Sequence, residues 1–380
     1  MHSVIIVQRR MTEYRLSLFE RLRVLLANQE IELAVIQGTP SAQESLRGDS
    51  ADLEWATSRR CRYVRLGESQ AFSQHLPRQL LEAQDLVILP HEGWMIANNL
   101  RLVFRRPRTP LLGFWGHGAN FQAASSDGWR ERLKSSTVGL ADWWFAYTAL
   151  SVDRLTAAGY PKERITCLNN AVDTAQLGRW RQEITESDIQ GTRDALGLRG
   201  HHTAVFIGSL HPRKRLDFLV QAADRLRDEL GDFELIVIGD GPLKPLLLAH
   251  ASVREWLKVV GSKHGRDKVL HALLGDVILN PGMVGLGILD SLSFGLPLVT
   301  TDCGMHSPEI AYLRPGQNGV MTPDEVVAYV SQVASLLRDR KLLASLATGC
   351  REDATQYTVE GMATNFAGGI QAALELGKRP

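Results

Sequence analysis

Cysteines and long apolar runs are scarce in this sequence. Its 380 residues include 4 cysteines, none at the pair spacing typical of a metal site, and a chain of this length has no need of disulfide bonds. No stretch approaches the roughly 20 apolar residues of a membrane-spanning helix. The short apolar run at residues 4–7 is followed by arginines rather than by a signal-peptide cleavage site. These absences predict a cytoplasmic protein.

Excess charge and the common metal and dinucleotide motifs are also missing. Lys and Arg number 43 against 42 for Asp and Glu, so the net charge of +1 offers no basic field for nucleic acid. There is no HExxH, paired CxxC or DxD motif, and no metal site is expected. No GxGxxG follows the first apolar run, which disfavours a dinucleotide-dependent oxidoreductase.

Short apolar runs alternate with segments of helical periodicity along the whole chain, which is typical of strand and helix units around parallel sheets. The first half contains seven such runs, at residues 4–7, 31–36, 63–66, 86–89, 111–115, 143–147 and 165–168. The second half contains five, at residues 204–207, 235–238, 257–260, 277–279 and 298–300. Late in the chain, Thr322, Pro323 and Glu325 predict a capping box at the start of a helix.

The pattern predicts an α/β protein with two Rossmann-like domains that face each other across a cleft, because ligands of doubly wound sheets bind beyond the carboxyl ends of the strands. The first domain is expected at residues 1–175 and the second at 200–350, joined by a linker near 176–200. A helical segment at 351–380 is expected to pack back toward the first domain.

Residues 205–216 (VFIGSLHPRKRL) join a buried strand and a glycine turn to three consecutive basic residues and an amphipathic helix. A helix N-terminus after a tight turn binds anions, and Arg213, Lys214 and Arg215 would add mobile cations beside it. A diphosphate suits this chemistry. A solvated basic turn is the alternative interpretation.

Residues 280–300 (NPGMVGLGILDSLSFGLPLVT) combine Gly282, Gly285 and Gly287 with a short helix that carries Asp290 and stops at a fourth glycine, Gly295. Glycines after a strand let a ligand approach the backbone, and the helix start offers unsatisfied N–H groups to phosphate oxygens. Asp290 is placed to accept hydrogen bonds from the two vicinal hydroxyls of a ribose. A plain packing turn is the alternative.

These two turns resemble glycosyltransferase family 4, one of the group 1 glycosyltransferases with the GT-B fold. The resemblance covers nearly the whole chain. It rests on GSLHPRKRLDFL at 208–219, GDGPL at 239–243, GLGILDSLSFGLPLVTTD at 285–302 and LNNAVD at 168–173. It implies retaining, metal-independent transfer of a hexose from a nucleotide-diphosphate sugar to a hydroxyl acceptor, in polysaccharide, lipopolysaccharide or glycolipid synthesis. The sugar nucleotide is a co-substrate, and no cofactor is implied.

The resemblance also implies roles for particular residues. Lys214 and Arg213 match the positions that neutralise the donor diphosphate, and His117, in FWGHG, matches a histidine placed under the donor sugar. For His117, a structural hydrogen-bonding role is the alternative. The implied donor-binding residues are Gly208, Ser209, Arg215, Gly239, Gly241, Gly282, Val284, Gly285, Leu286, Asp290 and Glu309.

The sequence departs from the family pattern at three places. Ser209 stands where the family has an arginine, and Gly282 stands where the family has a glutamate that grips the donor sugar. The family's paired glycines in the first loop are also missing, which makes Arg9, Arg10 and Arg15 candidates for contact with donor phosphate or acceptor. A nucleotide-sugar-binding protein without turnover and a sugar-nucleotide epimerase of the same fold are therefore the alternative functions.

A further group of basic and aromatic residues lies between the fourth and sixth apolar runs. These residues are Arg101, Arg105, Arg106, Arg108, Trp129, Arg130, Arg132 and Lys134. Such a mixture favours peripheral binding to the anionic inner face of the cell membrane, or a lipid-linked acceptor, with a solvated surface as the alternative. The expected partners are a nucleotide-diphosphate sugar, a carbohydrate or lipid-linked acceptor and an anionic membrane surface, with no nucleic acid.

Overall fold

The computed structural model describes residues 1–45, 49–66, 69–74, 76–77, 82–92, 95, 110–118 and 137–377. The chain divides into two compact units. The first consists of Met1–Val172 together with Val359–Pro380, and the second of Asp173–Thr358.

Among the described residues, the strands of the first unit are β1 His2–Gln8, β2 Ile31–Gly38, β3 Thr57–Arg59, β4 Arg62–Leu66, β5 Ser69–Ser73, β6 Leu86–Pro90, β7 Leu111–Gly116, β8 Trp143–Ala146 and β9 Ile165–Cys167. Those of the second unit are β10 His202–Ile207, β11 Phe233–Ile238, β12 Leu257–Gly261, β13 Val277–Leu279, β14 Leu298–Thr301 and β15 Gly319–Thr322.

The helices of the described residues are α1 Glu13–Ala27, α2 Ala42–Ser45, α3 Ala149–Ala157, α4 Thr174–Glu183, α5 Glu186–Leu196, α6 Leu216–Leu230, α7 Lys244–Ala251, α8 Gly265–Ala272, α9 Gly287–Phe294, α10 Val326–Arg338, α11 Arg340–Ala354 and α12 Val359–Leu376. Short 3₁₀ turns lie at Val138–Leu140, Lys162–Arg164, Pro212–Lys214 and Pro308–Tyr312. Within these ranges, no helix has both the length and the apolar character needed to cross a bilayer.

The first unit is built on a seven-stranded parallel sheet with the order β3-β2-β1-β6-β7-β8-β9. Alternate residues of β1 enter separate apolar clusters on the two faces, with Val4 and Ile6 on one and Ile5 and Val7 on the other. Parallel sheets are covered on both faces, so their strands are nearly continuous apolar runs. This is why the sequence predicted most of these strands.

One predicted strand does not belong to the first sheet, and one strand of this sheet was not predicted. Residues 63–66 do form a strand, but it pairs antiparallel with β5 in a separate hairpin. The seventh member of the parallel sheet is instead β3, whose three polar residues are all exposed at the sheet edge. An edge strand without apolar residues carries no hydrophobic signal in the sequence.

The helix α12 completes the core of the first unit. Its Met362 and Phe366 are fully buried. The Phe366 ring packs on the rings of Trp115 and Phe145, with centroid distances of 4.9 and 4.7 Å. The first unit is therefore assembled from two segments that the second unit separates in the chain.

The second unit has a six-stranded parallel sheet with the order β12-β11-β10-β13-β14-β15. This is the doubly wound order of the Rossmann fold, in which the strand order reverses between the first and fourth strands, here β10 and β13. The strand β15 was not predicted. Because β15 ends at Thr322, the predicted capping box is wrong: α10 begins four residues later, with Glu325 as its N-cap.

The predicted linker near residues 176–200 is also wrong. This stretch belongs to the second unit and forms most of α4 and α5. The side chain of Asp173 caps α4 by accepting from the Gln176 amide at 2.9 Å. Thr185 and Asp188 form a capping box at the start of α5. The polar composition of residues 176–200 reflects the largely exposed faces of these two helices and not a flexible linker.

Candidate functional site

The two turns that the sequence singled out converge at the point where the second sheet reverses its strand order. β10 leads into Gly208 and the turn Pro212–Lys214, and β13 leads through residues 280–286 into α9. An ideal Cβ on Gly287, the first residue of α9, would lie 3.9 Å from the Ile207 carbonyl oxygen at the end of β10. Ligands of doubly wound sheets bind at this reversal.

Lys214 provides a buried positive charge at this point. Its side chain is 7% exposed, and Nζ donates to the Met283 carbonyl oxygen at 2.6 Å. Burial lowers the pKa of Lys214 from 10.5 to about 8, so most of the population remains protonated at pH 7. The prediction of mobile cations is therefore wrong for Lys214, because the loop after β13 holds its ammonium group.

Arg215 is also held in place. Its Nη1 donates to the Pro281 carbonyl oxygen and to Thr301 Oγ1, each at 3.3 Å, and pairs with Asp324. The guanidinium stacks on Phe218 with 4.6 Å between Cζ and the ring centroid. Arg215 thus joins the two loops to β14. Arg213 has an exposed side chain, like Ser209, and its carbonyl oxygen accepts from the Met283 amide at 2.8 Å.

Gly282 lies against the backbone of the basic turn. An ideal Cβ at Gly282 would lie 2.3 Å from the Arg213 carbonyl oxygen and 2.7 Å from that of Lys214. Backbone atoms cannot rotate away as the end of a flexible side chain can. The close approach therefore excludes a side chain at the position where the family has a glutamate.

The other glycines of the site permit a second close approach. An ideal Cβ on Gly239 would lie 1.9 Å from the Gly208 carbonyl oxygen, and one on Gly241 would lie 2.6 Å from that of Leu210. The turn after β11 thus packs directly on the turn after β10. An ideal Cβ on Gly208 would lie 3.4 Å from Lys214 Cε. The packing explains these glycines, and their role in lining a nucleotide pocket stays a prediction.

Asp290 lies in the first turn of α9 and forms an ion pair that the sequence did not predict. Lys268 Nζ donates to Asp290 Oδ1 at 2.7 Å, and the Asp290 side chain is 13% exposed. Lys268 belongs to α8, which comes 22 residues earlier in the chain. No local pattern in the sequence could have linked the two residues.

His306 holds the loop after β13 from the other side. Its Nδ1 accepts from the Val284 amide at 3.1 Å, and its Nε2 donates to the Thr301 carbonyl oxygen at 2.8 Å. These partners require the tautomer with hydrogen on Nε2. Burial lowers the pKa of His306 below its ordinary 6.5, which favours the neutral form that both hydrogen bonds need. The sequence did not predict a role for His306.

Glu309 and the rest of the loop lie beside His306. The Ser307 amide donates to the Val284 carbonyl oxygen at 2.8 Å, and an ideal Cβ on Gly285 would lie 3.5 Å from Ser307 Oγ. Glu309 is buried in the following turn, Pro308–Tyr312. The structure therefore brings Val284, Gly285 and Glu309 into one neighbourhood with Lys214 and α9. Leu286 is the N-cap residue of α9.

His117 and Arg15 form a separate group at the carboxyl edge of the first sheet. His117 follows β7, and its ring meets that of Tyr147 edge to face at 4.5 Å between centroids. Arg15 Nη2 donates to Tyr147 Oη at 3.0 Å. The Arg15 guanidinium also lies over the Trp115 ring, 4.2 Å from its centroid. His117 therefore lies at the carboxyl end of β7, and its role under the donor sugar stays a prediction.

Arg9 and Arg10 differ from Arg15 because acidic side chains neutralise them. Arg9 pairs with Glu44 and, at 3.2 Å, with Glu92. Arg10 makes two hydrogen bonds to the Asp49 carboxylate, at 2.7 and 3.0 Å. The structure thus gives these two arginines structural partners within the first unit.

The predicted membrane-binding residues cannot be placed in the site. The basic and aromatic residues from Arg101 to Lys134 lie outside the described residues. Across the part of the chain that the structure describes, no three His, Cys, Asp or Glu side chains are grouped to hold a metal ion.

Residues 201–339, within the second unit, match the family model described as "Glycosyl transferases group 1". The predicted resemblance to group 1 glycosyltransferases is thus confirmed, while the narrower assignment to family 4 stays a prediction. The alpha-monoglucosyldiacylglycerol synthase of Acholeplasma laidlawii is 24% identical over 37% of this chain and 36% of that protein. A GDP-mannose-dependent alpha-(1-6)-phosphatidylinositol monomannoside mannosyltransferase of Mycobacterium tuberculosis is 29% identical over 56% of this chain and 57% of that protein. The matches span only about a third to just over half of these relatives' lengths.

Solved structures confirm the predicted GT-B fold. Anabaena HepE in complex with UDP has a TM-score of 0.72 at 15% identity, covering 98% of this chain and 100% of that chain. Sucrose-phosphate synthase from Thermosynechococcus elongatus has a TM-score of 0.71 at 12% identity, covering 100% of both chains. At such low identities the likeness shows the fold alone.

The close approach at Gly282 predicts that Gly282→Ala destabilises the second unit. The added methyl group must displace backbone, so we expect a loss of about 1–3 kcal/mol in the free energy of unfolding, measured by chemical denaturation. Gly282→Glu should lose at least as much. The matched control is Gly178→Ala in α4, where a Cβ meets nothing within 4 Å and helix propensity should add about 1 kcal/mol. Unchanged stability of Gly282→Ala would contradict the close approach.

The burial of His306 predicts a loss of stability in acid. The unfolded chain takes up a proton near pH 6.5, whereas the folded state does so only at lower pH. The stabilisation is therefore complete above pH 6.5 and is lost as the pH falls toward the lowered pKa, by at most about 1.4 kcal/mol per pH unit. His306→Asn should flatten this part of the stability profile, while His264→Asn, at an exposed position, should retain it. Identical profiles for wild type and His306→Asn would refute the assignment.

Proposed function

We propose that this protein is a retaining, metal-independent glycosyltransferase that moves a sugar from a nucleotide-diphosphate donor to a hydroxyl acceptor. The observation that carries the proposal is the convergence of Lys214, the glycine turn after β10 and the start of α9 at the reversal of the second sheet. The match of residues 201–339 to group 1 glycosyltransferases supports it. The fold likeness to HepE, whose solved complex contains UDP, is consistent with a nucleotide ligand.

The donor diphosphate would bind between Lys214 and the amino terminus of α9. Breaking the glycosidic bond leaves negative charge on the diphosphate and positive charge on the sugar. A fixed ammonium group and the N–H groups of a helix start stabilise the anion without reorganising during the reaction. Lys214 is suited to this role because Met283 already holds its ammonium in place. The leaving nucleoside diphosphate would remain in the second unit.

Asp290 would bind the donor ribose. Its carboxylate lies one turn into α9, and two vicinal hydroxyls are natural donors to such a group. Lys268 holds one carboxylate oxygen at 2.7 Å, which orients the side chain before the nucleotide arrives. Because the site has no glutamate at position 282, the sugar would meet loop backbone and Glu309 rather than that side chain.

The acceptor would bind to the first unit, where His117 lies at the end of β7. The named relatives include enzymes for a glucosyl diacylglycerol and for a phosphatidylinositol mannoside, which supports a carbohydrate or lipid-linked acceptor in glycolipid or polysaccharide synthesis. The same relatives support peripheral attachment of this protein to a membrane surface. The sugar nucleotide is a co-substrate in this scheme, and no bound cofactor is needed.

A nucleotide-sugar-binding protein without turnover is the second candidate. It is favoured by Gly282, because the tight backbone contact there removes the family glutamate from the sugar site. An enzyme and a binder differ in whether the diphosphate is released, so a single assay separates them.

The test is release of nucleoside diphosphate from a panel of UDP- and GDP-sugars, with and without candidate glycan and glycolipid acceptors. We expect slow release that an acceptor accelerates. Lys214→Ala should abolish release and weaken nucleoside-diphosphate binding by about 10- to 100-fold, the loss of one charged hydrogen bond. Wild-type affinity should also decline as the pH rises above about 8, where Lys214 loses its proton.

The matched control is Lys341→Ala, which removes an exposed lysine of α11 and should leave release unchanged. Binding without release would indicate the binding protein, and interconversion of donor sugars would indicate an epimerase. Equal diphosphate affinity in wild type and Lys214→Ala would contradict the donor-site assignment.

A further inference from the structure

Arg15 is a buried arginine for which the described residues provide no acidic partner. Its side chain is 7% exposed, and its Nη1 atom is buried without a hydrogen-bond partner. Its guanidinium interacts with two tyrosines, donating to Tyr147 Oη at 3.0 Å and lying beside Tyr14, and it also lies over the ring of Trp115. Among the described residues, no carboxylate forms an ion pair with it. Within the described structure, this positive charge is therefore buried without an opposite charge beside it.

Such an arrangement is costly for the free protein. Removing an ion from water carries a penalty of several kcal/mol that a paired charge or hydrogen bonds normally offset. Stacking of the guanidinium on aromatic rings offsets only part of this desolvation penalty. Arg9 and Arg10, a few residues earlier, show the usual solution, since each is paired with at least one carboxylate. Arg15 is therefore unusual among the basic residues of this loop and helix.

Neighbouring donors are unsatisfied as well. The indole Nε1 of Trp115, a residue 3% exposed, is buried without a hydrogen-bond partner. The hydroxyl of Thr12, a residue 5% exposed, is likewise buried without a hydrogen-bond partner. Thr12 is the N-cap residue of α1, and its carbonyl oxygen accepts from the Arg15 amide at 2.9 Å. Within the described part of the chain, Arg15 Nη1, Trp115 Nε1 and Thr12 Oγ1 thus remain without acceptors.

The place of this group in the fold is that of a ligand site. α1 follows β1, the strand at which the order of the first sheet reverses, and Trp115 and Tyr147 come from the carboxyl ends of β7 and β8. Ligands of such sheets bind at this edge. The amino terminus of the 15-residue α1 adds further positive potential.

We propose that Arg15 binds an anionic group, a phosphate or a carboxylate, that belongs to the acceptor. The planar guanidinium matches the paired oxygens of either group. The proposal rests on the proposed transferase function for the identity of the ligand as an acceptor, whereas the anion site itself can be measured without any transfer reaction. The structure thereby distinguishes among three arginines that the sequence left equivalent.

The experiment measures binding of small anions to the full chain by calorimetry. Glycerol 3-phosphate and glucuronate represent the two anion classes, and glycerol and glucose are their neutral counterparts, all at constant ionic strength. The Lys214→Ala background removes the proposed donor-phosphate site. We expect saturable binding of at least one anion and of neither neutral compound. Arg15→Met should weaken that binding by about 10- to 100-fold, as expected for a charged hydrogen-bonded contact.

Two further variants separate a ligand site from a structural role. Arg15→Lys should keep part of the anion affinity, because it keeps the positive charge but loses the paired N–H donors of the planar guanidinium. Arg23→Met is the matched control: Arg23 is also in α1 and also lies over a tryptophan ring, that of Trp55 at 4.6 Å, but it is exposed. Arg23→Met should bind anions as tightly as the Lys214→Ala parent. Arg15→Met should also keep or raise the melting temperature, since it removes an unpaired buried charge.

The outcomes distinguish this inference from the proposed function. Equal anion affinity in Arg15→Met and its parent, or no anion binding by either, overturns the Arg15 site. A lower melting temperature of Arg15→Met without any change in anion affinity shows a structural arginine and overturns it as well. Failure of wild type to release nucleoside diphosphate from any donor refutes the transferase instead, and leaves the measured anion site standing.

Discussion

The second unit depends on how closely two loops approach at the reversal of its sheet. The Met283 amide donates to the Arg213 carbonyl, and the Lys214 ammonium donates to the Met283 carbonyl, so backbone and side chain join the same two loops. Gly282 makes this contact possible. His306 then fixes the neighbouring Val284 from the opposite side. The charge at the site is therefore held in position before any ligand arrives, which is what electrostatic stabilisation of a leaving group requires.

The sequence was informative about the fold wherever strands are buried on both faces. β11, for example, is buried at all six residues and reads as a continuous apolar run. It was uninformative at the edges. The polar β3 has no apolar residue. The strand β15 directly follows a turn, and the sequence pattern did not reveal where the strand begins. The segment at residues 63–66 was predicted as a strand, but not as part of a separate hairpin. A local apolar pattern does not reveal which sheet a strand joins.

The same distinction between local and distant information applies to the sites. The turn that carries Lys214 was predictable because strand, glycine and basic residues are adjacent in the chain. The contact of Gly282 with that turn was not, since it joins residues about 70 positions apart. Likewise, Arg9, Arg10 and Arg15 look alike in the sequence, and only folding brings Glu44 to Arg9 and Tyr147 to Arg15. Charge and glycine content can be read from the sequence, whereas the partner of each charge cannot.

The split composition of the first unit has a consequence for synthesis of the chain on the ribosome. All strands of its sheet are made by residue 167, but α12, whose Phe366 covers Trp115 and Phe145, is made only after the whole second unit. The second unit is continuous in the chain and can close while translation proceeds. The unit that is begun first is therefore finished last, and until α12 emerges the apolar cluster that it shares with α1 is only partly covered, leaving surface of the kind that chaperones bind.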